Sequence, residues 1–529
     1  MSLPGIADIL ADLQKRDIIK RIWQKDHTVW SPDPSEIANR LGWLTVADQM
    51  KREVTALTSF ADEIRSTGFT HVVLLGMGGA SLGAEVLRQT FGRVKGYPEL
   101  IVLDSTVPDR ILSVTRQIDL LKTLFIVASK SGGTIETLSL YKHFRNLVEQ
   151  TAGKNGAGLH FIVITDAGSS LEKLAKEAHF RRAFLNPADI GGRYSVLSYF
   201  GLVPAALAGI DITELLSRAS AMSQACHSPL PGNPGGHLGA LIGGAALKGQ
   251  DKLTLITSPA LDSFGLWLEQ LIAESTGKEG RGIIPVIGEP LVDAAYYGDD
   301  RTFVYLRLKN DRNDATDKLS AQLKISGREV TMLDLTDRFD LGAEFFRWEF
   351  ATAVAGALLG INPFDQPDVQ ATKDVTMRML QEYHSSGKLP AAPAADSLKE
   401  LLQQAKTGRY FAIMTYLNQT PDIDRAIADL RKKLVEKYRI ATTLGYGPRF
   451  LHSTGQLHKG GPNGGLFLQL TADVKQDVPI PGDHYTFRVL AEAQASGDFQ
   501  TLKLRGRTVI RVHLGADPVT AIKRLSESI

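Results

Sequence analysis

The sequence predicts an α/β protein: two domains with doubly wound parallel sheets, followed by a C-terminal α/β domain. Three observations predict it. The chain has 529 residues, which is too many for one hydrophobic core. Short apolar runs alternate with segments whose apolar residues recur at helical spacing, as strands and helices do in a covered parallel sheet. Two stretches rich in Pro, Gly and small residues, 226–237 and 385–396, divide this alternation into three blocks.

The strands are expected at the apolar runs. The first block has them at Val72–Leu75, Ile101–Leu103, Leu124–Val127 and Phe161–Ile164, with a shorter run at Phe184–Leu185. The second block has them at Leu253–Ile256, Ile283–Ile287, Phe303–Leu306 and Val330–Leu333. The third has them at Tyr410–Thr415, Leu466–Leu470 and Val509–Leu514, with a helix over 422–438 between the first two. We expect an N-terminal helical segment over 1–45 and domains over 46–228, 237–385 and 397–529.

Composition and charge exclude several classes of protein. The net charge of +2 gives no general field for nucleic acid or an anionic membrane, so neither is expected as a partner. The Gly- and Ala-rich run 237–247 is too short to span a bilayer. The single cysteine, Cys226, forms no intramolecular disulfide, and the N-terminus lacks the apolar core of a signal peptide. A cytoplasmic protein is expected.

The first predicted strand runs into a glycine-rich loop, GMGGASLGAE, over 76–85. Glycines let the backbone approach a ligand closely, and a following helix start offers unpaired N–H groups to an anion. A tight turn and a dinucleotide site are the alternatives, the second because Asp104 ends the next strand. However, Ser81 stands where the dinucleotide fingerprint has its third glycine.

The third predicted strand ends in SKSGGTIET, over 129–137, which crowds hydroxyl groups and glycines into one strand-to-helix turn. Hydroxyls and backbone N–H groups can saturate the acceptor oxygens of a phosphate without many cations. Ser and Thr also cap helices, so a purely structural turn is the alternative.

Two segments carry groups suited to acid–base chemistry. Arg193 follows two glycines in DIGGRYSVLSYFG, where it can stabilise an oxyanion or simply pair with Asp189. Glu274 lies near the end of the helix predicted over 264–278, four residues after Gln270 and hence on the same face. The negative end of the helix dipole disfavours the ionised carboxylate, which suits a general base. A solvated Glu274 paired with Lys278 is the alternative.

Two later segments add further candidates. NPFDQPDVQATK, over 362–373, has prolines that fix a turn before a helix begins at Val369, and it carries Gln366 and Lys373. FLHSTGQLHKGGPNGG, over 450–465, places His452 beside Ser and Gly-rich sequence, where a His can transfer protons near neutral pH. An ordinary loop and a structural His are the alternatives.

Taken together, these segments resemble the glucose-6-phosphate isomerase family, which is built from two sugar-isomerase (SIS) domains. DIGGRYSVLSYFG and NPFDQPDVQATK are similar to the two family signatures, SKSGGTIET to its phosphate loop and ESTGK, over 274–278, to its catalytic-base motif. The FLHSTGQLHKGGPN segment is most similar to the isomerase half of bifunctional transaldolase/glucose-6-phosphate isomerase proteins. A transaldolase domain or protein is therefore expected as a partner, and the chain is expected as a monomer or a homodimer.

The resemblance implies roles for individual residues in interconverting glucose 6-phosphate and fructose 6-phosphate. Glu274 would move a proton between C2 and C1, Arg193 would stabilise the cis-enediolate, and Lys373 with His452 would assist ring opening. His458 is a weaker candidate for the histidine. The remaining residues would bind the sugar and its phosphate: Gly78, Gly79, Ser81, Ser129, Lys130, Ser131, Thr134, Gln270 and Gln366. The reaction would need no metal and no redox cofactor.

The sequence departs from the family pattern at two places. Ala80 stands where the glycine loop usually has Ser, so a phosphate or sugar contact of that Ser would be missing or would shift to Ser81. The histidine segment lies after both the base motif and the lysine motif, whereas in the family it lies between them and comes from the neighbouring subunit. We hypothesise that the third block delivers His452 to the site and replaces that role.

Three other functions remain open. A non-catalytic SIS module that senses a sugar phosphate would need the hydroxyl-rich loop but not Glu274, Arg193 and Lys373 together. An isomerase for mannose 6-phosphate or an amino-sugar phosphate would differ in the pocket around C2. An NAD-linked dehydrogenase is disfavoured by Ser81.

Overall fold

The computed structural model describes residues 5–390 and 397–529, and it contains three parallel sheets. The second predicted linker therefore lies partly outside the described residues, as do residues 1–4. Each sheet corresponds to one block of the sequence. The predicted α/β class with parallel sheets is confirmed.

The first sheet has five strands in the order β2-β1-β3-β4-β5, all parallel. The strands are β1 (His71–Gly76), β2 (Glu99–Leu103), β3 (Thr123–Ala128), β4 (Phe161–Asp166) and β5 (Arg182–Asn186). Before and between them lie the helices α1 (Ile6–Lys15), α2 (Ile18–Trp23), α3 (Val46–Lys51), α4 (Val54–Ser66), α5 (Leu82–Phe91), α6 (Pro108–Gln117), α7 (Ile135–Ala152), α8 (Lys154–Ala157) and α9 (Ser170–Glu177). After β5 come α10 (Tyr199–Leu207) and α11 (Ile212–Ala225).

The second sheet has four parallel strands in the order β7-β6-β8-β9. They are β6 (Lys252–Thr257), β7 (Ile284–Val286), β8 (Arg301–Leu308) and β9 (Val330–Leu335). The helices of this part are α12 (Pro234–Leu247), α13 (Phe264–Thr276), α14 (Asp314–Ile325), α15 (Leu341–Leu359) and α16 (Val369–Ser386). One apolar core joins the facing sides of the first two sheets, with α11, α12, α13 and α15 between them.

The third sheet has the order β11-β10-β12-β13 and is also parallel. Its strands are β10 (Tyr410–Tyr416), β11 (Ala441–Tyr446), β12 (Gly465–Thr471) and β13 (Thr508–His513). Its helices are α17 (Leu398–Leu402), α18 (Pro421–Tyr438), α19 (Gly455–Gly460), α20 (Phe487–Leu504) and α21 (Pro518–Glu527). Strand β11 was not predicted, because Leu444 is its one large aliphatic residue and the others are Ala, Thr, Gly and Tyr446.

The third sheet packs directly on the other two parts of the chain. One of its faces meets α13 and β7 in an apolar cluster that includes Ala273 and Phe450. Helix α20 packs along α16, and residues of both helices join the core beneath the first sheet. The loops that follow β1 and β11 both lie against Gln270 of α13.

The stretch 226–237, predicted as a linker, connects α11 to α12 and includes the first turn of α12 from Pro234. The buried Asn233 side chain donates to the carbonyls of Cys226 and Ser228 and accepts from the N–H of Gly236, so it caps α12. Across the described residues, no helix is both long and apolar enough to cross a membrane.

Candidate active site

The end of α13 brings Glu274 and Gln270 to one face, as their spacing predicts. Gln270 Nε2 donates to Glu274 Oε2 at 3.0 Å and to the His452 carbonyl at 2.8 Å. The Glu274 side chain keeps 11% of its surface exposed, and Arg193 Nη1 lies 3.6 Å from its Oε2. Glu274 therefore faces a guanidinium and an amide, and not Lys278.

Arg193 is buried and holds the loop before α16. Its Nε donates to Ser275 Oγ at 2.8 Å, and its Nη2 donates to the carbonyls of Pro363 and Asp365 at 2.7 and 2.9 Å. Its Nη1 donates to Gln366 Oε1 at 3.0 Å. These contacts replace the surface pairing with Asp189 that was the alternative for this residue.

Lys278 secures the same loop from the other side. Its Nζ donates to the Asn362 carbonyl, to the Asp365 carbonyl at 2.6 Å and to Asp365 Oδ1 at 2.5 Å. Burial and the nearby charge of Arg193 lower the pKa of Lys278 to about 7, although Asp365 opposes the shift. Lys278 thus belongs to the support of the Arg193 loop and not to a pair with Glu274.

In the hydroxyl-rich turn after β3, some hydroxyls form hydrogen bonds within the turn and others line cavities. The buried Ser129 Oγ accepts from the N–H of Gly132 at 3.2 Å and lies 2.8 Å from Thr134 Oγ1. Ser131 and Thr134 line two neighbouring cavities. The Lys130 ammonium pairs with Asp166 and donates to the Ala188 carbonyl at 3.0 Å, and it lines the second cavity from there.

The first cavity, of about 300 Å³, lies between α7, α16 and the segment after β11. Lys373 is exposed and lines it together with Glu136 and His452. His452 Nε2 lies 2.8 Å from Glu136 Oε1. Burial opposes the charge on Glu136, but the charge and hydrogen bond of His452 outweigh it, so the pKa of Glu136 lies below its ordinary value.

The second cavity, of about 670 Å³, is lined by Gly79, Ala80 and Gln366 as well as the hydroxyl-rich turn. Glu274 and Arg193 are not part of the wall of either cavity. They lie one layer deeper, joined to the walls by Gln366, which binds Arg193, and by His452, whose carbonyl binds Gln270. Ser131 and Thr134 line both cavities, so the two cavities lie side by side in front of this layer.

The glycine loop after β1 needs its glycines for close approach. Gly78 has a φ of +55°, and a Cβ there would lie 2.8 Å from the His452 carbonyl oxygen. A Cβ on Gly79 would lie 2.0 Å from the Gly192 carbonyl oxygen. The glycine loop therefore lies in close contact with the loop carrying His452 on one side and with the loop carrying Arg193 on the other.

The structure does not bring every predicted residue to the site. The Ser81 hydroxyl is fully buried and donates to the Gly78 carbonyl at 3.2 Å, so it cannot stand in for a hydroxyl at position 80, where this chain has Ala80. His458 is buried against Phe467, and burial lowers its pKa well below the ordinary value, so it is a neutral core residue. Asp104 pairs with Arg449 through two contacts of 2.7 and 2.8 Å and is not free for a ribose.

Sequence reasoning missed two residues of this site, Glu136 and Gln494. Glu136 stands inside the hydroxyl-rich turn, and its only signal was a carboxylate at the start of a helix within a proposed anion site. Gln494 lies on α20 of the third sheet, and nothing in its local sequence distinguishes it. In the part of the chain that the structure describes, no cluster of His, Cys, Asp and Glu could hold a metal ion.

Comparison with known proteins agrees with this architecture. The family model described as phosphoglucose isomerase matches residues 39–282. The glucose-6-phosphate isomerase of Symbiobacterium thermophilum is 30% identical over 390 residues, which cover 64% of this chain and 86% of that protein. That of Staphylococcus saprophyticus is 29% identical over 414 residues, covering 69% of this chain and 92% of that protein.

Two solved structures share the fold. A glucose-6-phosphate isomerase from Chlamydia trachomatis superposes with a TM-score of 0.59 at 20% identity, covering 71% of this chain and 86% of that one. A hypothetical protein from Thermus thermophilus gives a TM-score of 0.62 at 24% identity, covering 72% and 98%. With the similarity to the Symbiobacterium enzyme along most of that enzyme's length, the chain belongs to the phosphoglucose isomerase family.

Proposed function

We propose that this chain is a glucose-6-phosphate isomerase, which interconverts glucose 6-phosphate and fructose 6-phosphate. The observation that carries the proposal is the grouping of Glu274, Arg193 and Gln270 beside cavities lined by Ser131, Thr134, Lys373 and His452. A sensor of sugar phosphates would need the hydroxyl-rich turn alone. The grouping adds a carboxylate, a guanidinium and a His–Glu pair, which together are suited to moving protons.

The phosphate is assigned to the turn after β3. The hydroxyls of Ser131 and Thr134 face the cavities, and Lys130 supplies a cation beside them. The first turn of α7 directs backbone N–H groups toward the same place. This assignment leaves the carbon chain of the open sugar to extend toward Glu274.

The proton transfer is assigned to Glu274. Its carboxylate would remove the C2 proton of the open-chain aldose, and the electrons of the C–H bond would form the C1–C2 double bond. The C1 oxygen takes up the negative charge of the resulting enediolate. Transfer of the hydroxyl proton from the C2 oxygen to the C1 oxygen, followed by return of the carbon-bound proton to C1 as the C2 oxygen becomes a carbonyl, gives the ketose with no atom gained or lost. The free N–H of Arg193 Nη1 would stabilise the oxygen that bears negative charge in between.

Ring opening is assigned to His452 and Lys373, which line the first cavity together. With Glu136 ionised, His452 Nε2 carries a proton toward Glu136 and leaves Nδ1 to exchange a proton with the sugar. Gln270 Nε2 donates a hydrogen bond to Glu274 Oε2 and so fixes the position of that carboxylate.

A cytoplasmic location is part of the proposal, since sugar phosphates carry about two charges and do not cross a bilayer unaided. A transaldolase partner remains an expectation from the resemblance in 450–463. Copurification of a transaldolase with the tagged chain would test it.

The proposal is tested by supplying fructose 6-phosphate and following glucose 6-phosphate with a coupled dehydrogenase. The parent protein should turn over, and Glu274→Gln should lose about 10²-fold or more in kcat, the scale expected for a general base. Glu279→Gln, an exposed position close by in sequence, is the matched control and should keep parental activity. Binding of fructose 6-phosphate without turnover would contradict the proposal and favour a sensor, or an isomerase for mannose 6-phosphate or an amino sugar.

A further inference from the structure

Arg40, in the segment between α2 and α3, lines the second cavity together with the hydroxyl-rich turn. A backbone bridge between Leu41 and Ile190 fixes this segment against the loop that leads to Arg193. The Arg40 side chain lies along the same loop, since a Cβ on Gly191 would be 3.8 Å from its Cδ. The segment is therefore held at the cavity by backbone contacts that do not depend on the guanidinium.

The guanidinium of Arg40 has donors that the fold does not use. A guanidinium carries five N–H groups. Nη2 donates to Glu36 Oε2 at 2.8 Å and Nη1 donates to the Asn39 carbonyl at 3.1 Å, and the other three N–H groups have no partner among the described residues. The Glu36 side chain is 42% exposed. Because an ion pair this exposed to water is weak, little opposes transfer of the guanidinium to another anion.

The cation that the hydroxyl-rich turn itself supplies, Lys130, already has a carboxylate partner. Its ammonium pairs with Asp166, and both residues line the second cavity. Burial raises the pKa of Asp166, and the charges of Lys130 and Arg40 oppose that shift, so both cations act on the same part of the wall. Asp189, another carboxylate of this wall, is exposed to water. An anion in the cavity thus meets Lys130, whose charge is balanced within the wall, and Arg40, whose partner Glu36 lies outside it.

We propose that Arg40 binds the phosphate group of the substrate and so favours a phosphorylated sugar over an uncharged one. A guanidinium presents paired N–H donors that match two oxygens of a phosphate. Arg40 would leave Glu36 to make this contact, while Ser131 and Thr134 donate their hydroxyls from the turn. The inference rests on the proposed function for the identity of the ligand.

The place of Arg40 predicts which kinetic constant depends on it. Arg40 lines the cavity wall, whereas Glu274 and Arg193 lie in the layer behind that wall. The phosphate keeps its charge and its contacts while the carbons react. A contact that is equal in the bound substrate and in the transition state lowers KM and leaves kcat nearly unchanged.

The test measures binding of glucitol 6-phosphate to the full chain by isothermal titration calorimetry. This open-chain sugar phosphate has no carbonyl group, so it cannot isomerise during the titration. Arg40→Met keeps the apolar stem along Gly191 and removes the charge, and it should raise Kd about tenfold or more, the scale of a lost hydrogen bond to a charged group. Arg40→Gln should give the same result.

Glu36→Gln is the matched control, because it removes the same ion pair from the other side and leaves Arg40 in place. It should bind glucitol 6-phosphate at least as tightly as the parent does. With fructose 6-phosphate as substrate, Arg40→Met should raise KM by a factor similar to its change in Kd and should keep a kcat close to the parental value.

A parental Kd for glucitol 6-phosphate in Arg40→Met would overturn the inference. So would an equal loss of affinity in Glu36→Gln, since it would show that the ion pair, and not a phosphate contact, is what the site requires. Binding that depends on Arg40 in a parent protein lacking turnover would support the role of Arg40 and overturn the proposed function instead. A parent that neither binds glucitol 6-phosphate nor turns over fructose 6-phosphate would overturn both.

Discussion

At the scale of single residues, Arg193 serves the fold and the candidate site together. A guanidinium has five N–H donors in a fixed plane. Four of those in Arg193 are used on Ser275, Gln366 and the carbonyls of Pro363 and Asp365. The remaining one is on Nη1, which lies 3.6 Å from Glu274. A rigid plane with one free donor is well suited to meet a charge that develops only during reaction.

Arg193→Lys tests this division of donors. Lysine keeps the charge but has three donors on a flexible stem, so it cannot hold the 363–366 loop and face Glu274 together. We expect kcat to fall about 10²-fold or more, as for the loss of a preorganised donor, with a smaller change in KM. The measurement is steady-state turnover of fructose 6-phosphate. Parental kcat in Arg193→Lys would show that charge alone is sufficient.

At the scale of elements, the candidate site is assembled from the ends of strands and helices. The loops after β1, β3 and β11 and the last turn of α13 supply Gly78, the hydroxyl-rich turn, His452 and Glu274. Strong apolar runs predicted β1 and β3, and the Gln270–Glu274 spacing predicted one face of α13. Strand β11 has one large aliphatic residue, Leu444, and was missed. The inward direction of the Ser81 hydroxyl depends on Asp104 and on packing that no local pattern contains.

Helix α15 contains a buried carboxyl group that makes stability depend on pH. Both oxygens of Glu349 lack a hydrogen-bond partner among the described residues, and burial raises its pKa well above the ordinary value. The folded protein therefore holds a proton that the unfolded chain releases as pH rises above the ordinary value for Glu. Between the ordinary pKa of a Glu side chain and the raised pKa of Glu349, the free energy of unfolding therefore falls as pH rises, by about 1.4 kcal/mol per pH unit at most.

Glu349→Gln should remove this dependence, because an amide does not titrate. We expect the free energy of unfolding of the variant, relative to the parent, to increase steadily from pH 5 to pH 8. Urea denaturation at each pH measures it, with the exposed Glu329→Gln as control. A constant difference over this range would show that Glu349 is not protonated in the folded protein.

At the scale of the whole molecule, one chain supplies every group of the candidate site. Glu274 and Arg193 come from the second and first sheets, and His452 comes from the third. The Asp104–Arg449 pair and the contacts of Gln456 with Asp368 and Gly277 join these parts. The sequence suggested that the third block delivers a histidine. It could not predict the partner Glu136 or the contact of Gln494 with it, because α7, α20 and the segment after β11 meet only in the folded molecule.

Mixing two inactive variants tests whether His452 acts within its own chain. Each single variant, Glu274→Gln and His452→Gln, should lose most of its activity. If each site is completed by one chain, a mixture of the two variants that has been unfolded and refolded together should recover no activity. In that case no site contains both Glu274 and His452. Recovery of a substantial fraction of parental activity would mean that His452 acts in a neighbouring subunit. A parent–parent mixture treated identically controls for refolding.

The most direct test of the central claim, that Glu274 moves a proton between C2 and C1, is isomerisation in D₂O. Carbon-bound deuterium is read by NMR in glucose 6-phosphate recovered after starting from fructose 6-phosphate. A carboxylate that exchanges with solvent should introduce deuterium at C2, and Glu274→Gln should lower the rate of that incorporation about 10²-fold or more. Deuterium incorporation at the parental rate in Glu274→Gln would contradict the account.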